Sequence, residues 1–192
     1  MPISDEILNR ALDPVPTTWQ PKPGYRAAAV LAPLFSREGR DWLLFTLRRS
    51  DLPHHPGQVS FPGGAREGEE QPEECALRET EEETGLEPGA VRVLGSLPPR
   101  LSIAGFWVQP MVGRIPAPTD LHPDPAEVAR LLEIPLDHLV QDQLWEMRVP
   151  SATDRPRPAI PHFDWDGTTL WGLTARFTLE LLDRIRAEEP GS

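Results

Sequence analysis

The sequence predicts an α+β or mixed α/β fold, and two patterns carry that expectation. Short apolar runs of strand character outnumber stretches with helical spacing, and the two kinds are interleaved irregularly along the chain. A length of 192 residues, 39% of them hydrophobic, fits one ordinary domain with a sizeable core. No internal repeat is evident. The 24 prolines are scattered rather than gathered into one tract, so they read as rigid loops between short elements.

Taken in order, Ser4 followed by Asp5 and Glu6 is a helix cap, and Ile7, Leu8, Ala11 and Leu12 keep helical spacing until Pro14 and Pro16 stop it. A proline-rich connector covers 14–23. Residues 27–35 and 42–47 are apolar runs split by a charged, Gly-containing segment at 36–40, which predicts a β-hairpin. From 48 to 68 the chain is rich in Gly, Pro, His and charge, a long loop with a short strand at 59–61; such loops inside compact domains are usually functional. Pro72 suits a first helical turn, and 71–84 reads as a helix closed by Gly85. Strands are expected at 91–97 and 106–115. Asp124-Pro125 is a cap followed by an N1 proline, predicting a helix over 125–133. A turn at 136–140, strand-like pieces at 143–149 and 159–171, and an amphipathic helix at 173–187 complete the chain. Residues 1–25 are thus an N-terminal helix and proline-rich arm, and 26–188 a single domain.

Composition narrows the function. The 19 basic and 30 acidic residues leave a formal charge of −11, which disfavours nucleic-acid binding and docking on anionic membranes. An anionic substrate then needs help from something other than net charge, and a divalent cation is the obvious supplement. Cys75 is the single cysteine, which excludes an internal disulfide and a multi-cysteine zinc site. No apolar run approaches the roughly 20 residues of a membrane span. The first residues lack the basic start and apolar core of a signal peptide, so a cytoplasmic location is expected.

The informative segment runs from Gly64 through Glu70 to Arg78-Glu79-Thr80-Glu81-Glu82-Glu83-Thr84-Gly85. On a helical wheel Glu82 and Glu83 fall about 60° and 40° to either side of Glu79, so three carboxylates share an arc of about 100°. Glu74 and Glu81 point away. Like charges this close repel, and the helix C-terminus disfavours negative charge further. A cation would offset both costs, and carboxylate oxygens suit Mg²⁺ or Mn²⁺. Three glutamates alone are equally compatible with a solvated helix face. Glu70 stands upstream as an ion-pair partner for Arg78.

The full spacing is more specific: a Gly, five residues, a Glu, seven residues, then Arg-Glu-x-x-Glu-Glu-x-Gly. Seven such positions coincide by chance on the order of once in 10⁸ windows. This pattern resembles the box of the Nudix hydrolase superfamily, with Thr80 departing at its hydrophobic slot. The resemblance implies an α/β/α sandwich around a mixed sheet, and hydrolysis of a nucleoside diphosphate linked to another moiety. Carried over by position, it implies Glu79, Glu82 and Glu83 as metal ligands or base, Gly63 as a backbone-carbonyl ligand, Gly64 as the tight turn beside the metal, and Arg78 as the residue that orients the glutamates. Glu79 is the candidate general base, with Glu127 in a distal segment as the alternative.

Leu43 to Arg48, then His55, then Gly57-Gln58-Val59-Ser60-Phe61-Pro62-Gly63-Gly64 resemble the motif before the box in the coenzyme A pyrophosphatase branch. Looser matches continue through Leu97-Pro98-Pro99, Ile134-Pro135-Leu136 and Trp171-Gly172-Leu173. The resemblance implies coenzyme A or an acyl derivative as substrate, with Arg48, Arg49, Gln58, Phe61 and Arg66 as candidate contacts. Pro53 stands where the branch usually has arginine; that contact is then either absent or supplied by Arg48, Arg49 or Arg66. Phe61 and Val59 also suit a plain core strand, His54 and His55 a turn, and Trp165 and Trp171 a core position. ADP-ribose or another nucleoside diphosphate derivative is the alternative substrate, and a nucleotide-sensing module without catalysis is the rival of another class. The N-terminal helix and arm are long enough to cross to a second subunit, which leaves a homodimer open.

Overall fold

A computed structural model describes residues 2–20, 22–52, 56–118, 120–149 and 158–188. The hairpin expected near the start is its backbone: β1 (Arg26–Arg37) and β2 (Arg40–Arg48) pair antiparallel through Leu34↔Leu43 to Arg37↔Arg40. Beyond that shared turn the two strands part. Residues 59–65 bridge the fork, because β3 (Val59–Ser60) takes the edge of β2 and β4 (Gly63–Ala65) takes the edge of β1. The Leu31 N–H donates to the Pro62 carbonyl between them at 2.9 Å, so the crossing backbone stays satisfied.

The helix that carries the acidic motif is α2 (Pro72–Thr84), preceded in sequence by α1 (Asp5–Ala11). After it come β5 (Arg92–Ser96), β6 (Arg100–Leu101) and β7 (Phe106–Arg114). β7 runs parallel to β1 from Arg26↔Phe106 to Leu34↔Arg114, while β5 and β6 pair antiparallel with β7. β8 (Val128–Pro135) covers the other edge of β2, and α3 (Leu136–Leu139) follows it. The result is one mixed eight-stranded sheet. A smaller antiparallel sheet of β9 (Trp145–Arg148), β10 (Ile160–Trp165) and β11 (Thr168–Trp171) leads into α4 (Gly172–Glu188).

Alternation along the strands divides the core into two layers. On one face Ala29 and Leu31 of β1 and Met111 of β7 pack against Cys75 and Ala76 of α2. On the other, Ala28, Ala32, Leu43, Phe45 and Val112 meet Leu8 and Leu12 from the N-terminal segment and Phe177, Leu181 and Ile185 of α4. This is an α/β/α sandwich around a mixed sheet. Ser4 caps α1 by accepting from the Ile7 N–H at 3.3 Å, and α1 packs back on α4 of its own chain, where Arg10 pairs with Glu188 at 3.0 Å.

One expected element is corrected. Residues 128–135 form a strand, not a helix. Asp124 does cap a turn, accepting from the Ala126 N–H at 2.8 Å, but the open edge of β2 then takes the chain from Arg48↔Val128 to Trp42↔Pro135. Val128, Leu132 and Ile134 thereby reach the core at a strand's period of two. β4 and β6, only three and two residues long, had no sequence expectation of their own. The strand-like stretch at 159–171 is a hairpin, turning at Asp166-Gly167 between β10 and β11. No helix among the described residues is long and apolar enough to cross a membrane.

Candidate active site

The site is built where the bridge between the parted strands meets α2. The helix starts cleanly, with the Glu74 carboxylate accepting from the Gln71 N–H at 2.7 Å and Pro72 at its first position, and ends at Gly85 in the left-handed region with φ 73°. Thr80 is fully buried, and its hydroxyl donates to the Ala76 carbonyl at 2.6 Å. That back-bond satisfies the departure from an apolar residue at this position.

Arg78 is the hub. Its guanidinium donates twice to Glu70 at 2.9 Å, once to Glu82 at 2.9 Å and once to the Ala65 carbonyl at 3.1 Å, and it pairs with Glu79 at 3.0 Å. The Arg78 hydrogen bonds hold the Glu70 carboxyl down at about 2, well below the ordinary 4.5, while Glu70 in turn raises Arg78. The pair therefore stays ionised at neutral pH.

The carboxylates differ in their surroundings. Glu79 is largely buried, and desolvation raises its pKa against the pull of Arg78. Its carboxylate occupies the place a Cβ on Gly64 would take, so a side chain there would push the Glu79 carboxylate aside. Gly63, at φ 150°, lies so close to Ala29 and Val30 of β1 that it too has no room for a Cβ. Glu83 is only 5% exposed; it accepts from the Gly63 N–H at 3.3 Å and pairs with Arg48 at 3.3 Å. Burial pushes its carboxyl up to about 8, with Arg48 and the Gly63 N–H opposing and Glu79 and Glu127 adding to the rise. Glu82 (59% exposed) and Glu127 (50% exposed) stand at the rim, and Arg48 also reaches Glu127 at 3.5 Å.

Of the residues singled out in the sequence, Arg48, Gly63, Gly64, Arg78, Glu79, Glu82, Glu83 and Glu127 are therefore brought together. Glu127 arrives through the pairing of β8 with β2, and the Arg49 N–H donates to its carbonyl at 2.9 Å. The Arg49 side chain is turned to Asp51 and the Pro125 carbonyl instead. Arg66 lies over the Trp19 ring and pairs with Glu69 at 3.7 Å. Gln58 accepts at its carbonyl from the Arg48 N–H, and its amide approaches Gly172. Of the two readings open for Phe61, the structure favours the core one: it is 2% exposed and stacks on Phe45 at 4.7 Å. Trp165 and Trp171 are partly buried; Trp165 packs against the core through Phe163, and Trp171 stacks on His162. Pro53, His54 and His55 lie outside the described residues. Sequence reasoning missed Trp19, whose only signal was an aromatic side chain in a polar, proline-rich arm.

Among the described residues, no three acidic, histidine or cysteine side chains already converge as a cation cage. Arg78 and Arg48 hold the carboxylates instead. The donor set nonetheless fits a hard divalent cation: oxygens only, with Glu83 buried beyond what one arginine neutralises and a glycine backbone cleared of side chains beside Glu79. Cys75 is fully buried with its thiol pushed up to about 12 by desolvation and by Glu70, so it is a packing residue rather than a ligand.

The raised Glu83 pKa fixes the sign of a stability effect. A carboxyl that titrates near 8 when folded and near 4.5 when unfolded contributes fully below the lower value and loses that contribution as pH rises through the upper one. Metal-free protein should thus lose thermal stability between about pH 5 and pH 8, and Glu83→Gln should flatten that slope and gain most over wild type at the alkaline end. Parallel slopes in calorimetric scans of the two proteins would exclude a protonated buried Glu83.

Comparison with known proteins agrees with the geometry. The NUDIX domain family description matches residues 25–150. A protein of Pectobacterium atrosepticum named "Uncharacterized Nudix hydrolase NudL" is 37% identical over 186 residues, covering 94% of this chain and 95% of its own. Among solved structures, a MutT/nudix family protein from Enterococcus faecalis aligns over 88% of this chain and 65% of its own with a TM-score of 0.55 and 17% identity. The Nudix hydrolase RenU of M. smegmatis aligns over 60% and 73% with a TM-score of 0.52 and 25% identity. With the box arginine holding its glutamates beside a double glycine, and with that family description matched across most of the chain, this protein belongs to the Nudix hydrolase family.

Proposed function

We propose that this enzyme hydrolyses the pyrophosphate bond of coenzyme A and its derivatives, using Mg²⁺ or Mn²⁺, to give 3′,5′-ADP and 4′-phosphopantetheine. The observation that carries this reading is the stretch Leu43 to Gly64, whose resemblance to the coenzyme A pyrophosphatase motif falls on the fork between β2 and β1. There Arg48, the Gln58 backbone and the double glycine adjoin the buried carboxylates.

In this reading Glu82, Glu83 and the Gly63 carbonyl hold the cation, and Glu79 stands beside them as the proton acceptor. A bound divalent cation neutralises phosphate charge and lowers the pKa of water. The chain's own residues do the rest. Arg78 keeps Glu79 and Glu82 oriented. Glu79, shielded from bulk water, takes the proton of the attacking water. Arg48 turns its guanidinium fork from Glu83 and Glu127 to the substrate's phosphate oxygens, for which that fork is suited. Phe61 has no contact role here, and Arg49 and Arg66 serve the phosphates only if they leave Asp51 and Trp19.

A panel of coenzyme A, acetyl-coenzyme A, ADP-ribose, NADH and diadenosine polyphosphates, with products identified by mass spectrometry, tests the substrate. The expected result is the highest kcat/KM for a coenzyme A species with 3′,5′-ADP as product. Preference for ADP-ribose overturns the coenzyme A reading while keeping the chemistry, and nucleotide binding without turnover overturns the enzyme.

The proton acceptor is tested by comparing Glu79→Gln with Glu127→Gln. Glu79→Gln should lose kcat and the acidic limb of the pH–rate profile while binding Mn²⁺ nearly as wild type does. If Glu127→Gln behaves this way and Glu79→Gln chiefly weakens Mn²⁺ binding, Glu127 is the base.

A further inference from the structure

The N-terminal arm lies outside the matched family region, yet one of its side chains reaches the loop that holds the hub arginine. The Trp19 indole N–H donates to the Glu70 main-chain carbonyl at 2.7 Å, across 51 positions of sequence. The partly buried Trp19 ring packs against the cluster that Ala29, Leu31, Cys75, Ala76 and Met111 form between β1, β7 and α2. The Arg66 guanidinium lies over the ring at 5.8 Å. An indole offers one donor in one direction on a rigid body, so a ring packed against that cluster orients the carbonyl it bonds.

Glu70 is where this matters. Within its loop the Glu70 carboxylate accepts from the Glu67 N–H at 2.7 Å and twice from Arg78, so the position of its backbone sets both Arg78 bonds. Arg78 then sets Glu79 and Glu82. Hydrogen bonds weaken steeply with lost alignment, so a loop free to shift by a fraction of an ångström would loosen the whole chain of contacts. We propose that Trp19 is a positioning residue for the active site: its indole N–H pins the Glu70 loop, and through Arg78 the cation-binding carboxylates. This rests on the reading of those carboxylates as metal ligands.

The test is carried out on the full chain, with the Trp19 indole replaced by benzothiophene, which keeps ring and volume but removes the N–H, and with Trp19→Phe beside it. Four readouts are taken: Mn²⁺ binding by EPR without substrate, solvent exchange of the Arg78 Nε–H by NMR in metal-free protein, kcat and KM on whichever diphosphate the wild type cleaves, and the midpoint of urea unfolding. The expected result is a Mn²⁺ dissociation constant raised about tenfold, in the range of outer contacts that orient metal ligands. Faster Arg78 Nε–H exchange and a lowered kcat at unchanged KM should accompany it. The urea midpoint should move no further than the loss of one neutral hydrogen bond explains. Wild-type Mn²⁺ affinity and Arg78 exchange in the benzothiophene protein overturn the proposal, as does loosened Arg78 with unchanged Mn²⁺ affinity. Glu83→Gln run in parallel separates the causes: if it also binds Mn²⁺ like wild type, the metal assignment has failed, and unchanged Arg78 exchange then decides against Trp19 independently.

Discussion

The candidate active site depends on one guanidinium. Arg78 has to restrain carboxylates that repel one another at one helix face, and it does so with a planar fork that reaches Glu70, Glu79, Glu82 and the Ala65 carbonyl at once. A lysine ammonium supplies the same charge but not that spread of donors. Because Glu70 stays ionised down to about pH 2, the anchor holds wherever the enzyme works, and only strong acid releases it.

The second constraint is the fork in the sheet. β1 and β2 separate past their shared turn, and the chain that fills the gap crosses so close to β1 that Gly63 has no room for a side chain, while a Cβ on Gly64 would displace Glu79. This crossing places the Gly63 N–H against Glu83 and lays Gly64 under Glu79. The opposite edge of β2 recruits β8, which delivers Glu127 to the rim opposite Arg48. Among the described residues Arg48 is the one cation that pairs with Glu83, and burial still raises the Glu83 carboxyl well above the usual carboxylate range.

What was legible in the sequence was local. The hairpin, the box helix with its proline start and glycine end, and α4 all follow from periodicity and caps over a dozen residues, and the Arg78–Glu70 pair follows from fixed spacing. Where long-range pairing overrode a local signal, the reading failed: Asp124-Pro125 looks like a helix start, but the unpaired edge of β2 makes the following residues a strand. Phe61 could be read as contact or core, and only its stack on Phe45 decides. Arg48 was read as a candidate phosphate contact, whereas its pairing with Glu83 of α2 and with Glu127 next to β8 joins residues 35 and 79 positions apart. The Trp19 bond to Glu70 has no local signature at all.

The central claim is that the Arg78 fork, and not its charge alone, keeps the carboxylates ready for a cation. The direct measurement is a Mn²⁺ titration of Arg78→Lys followed by EPR, with circular dichroism and thermal unfolding on the same metal-free sample. The account predicts a folded protein whose Mn²⁺ affinity falls by about 10- to 100-fold. A folded Arg78→Lys protein that binds Mn²⁺ as tightly as wild type would contradict it.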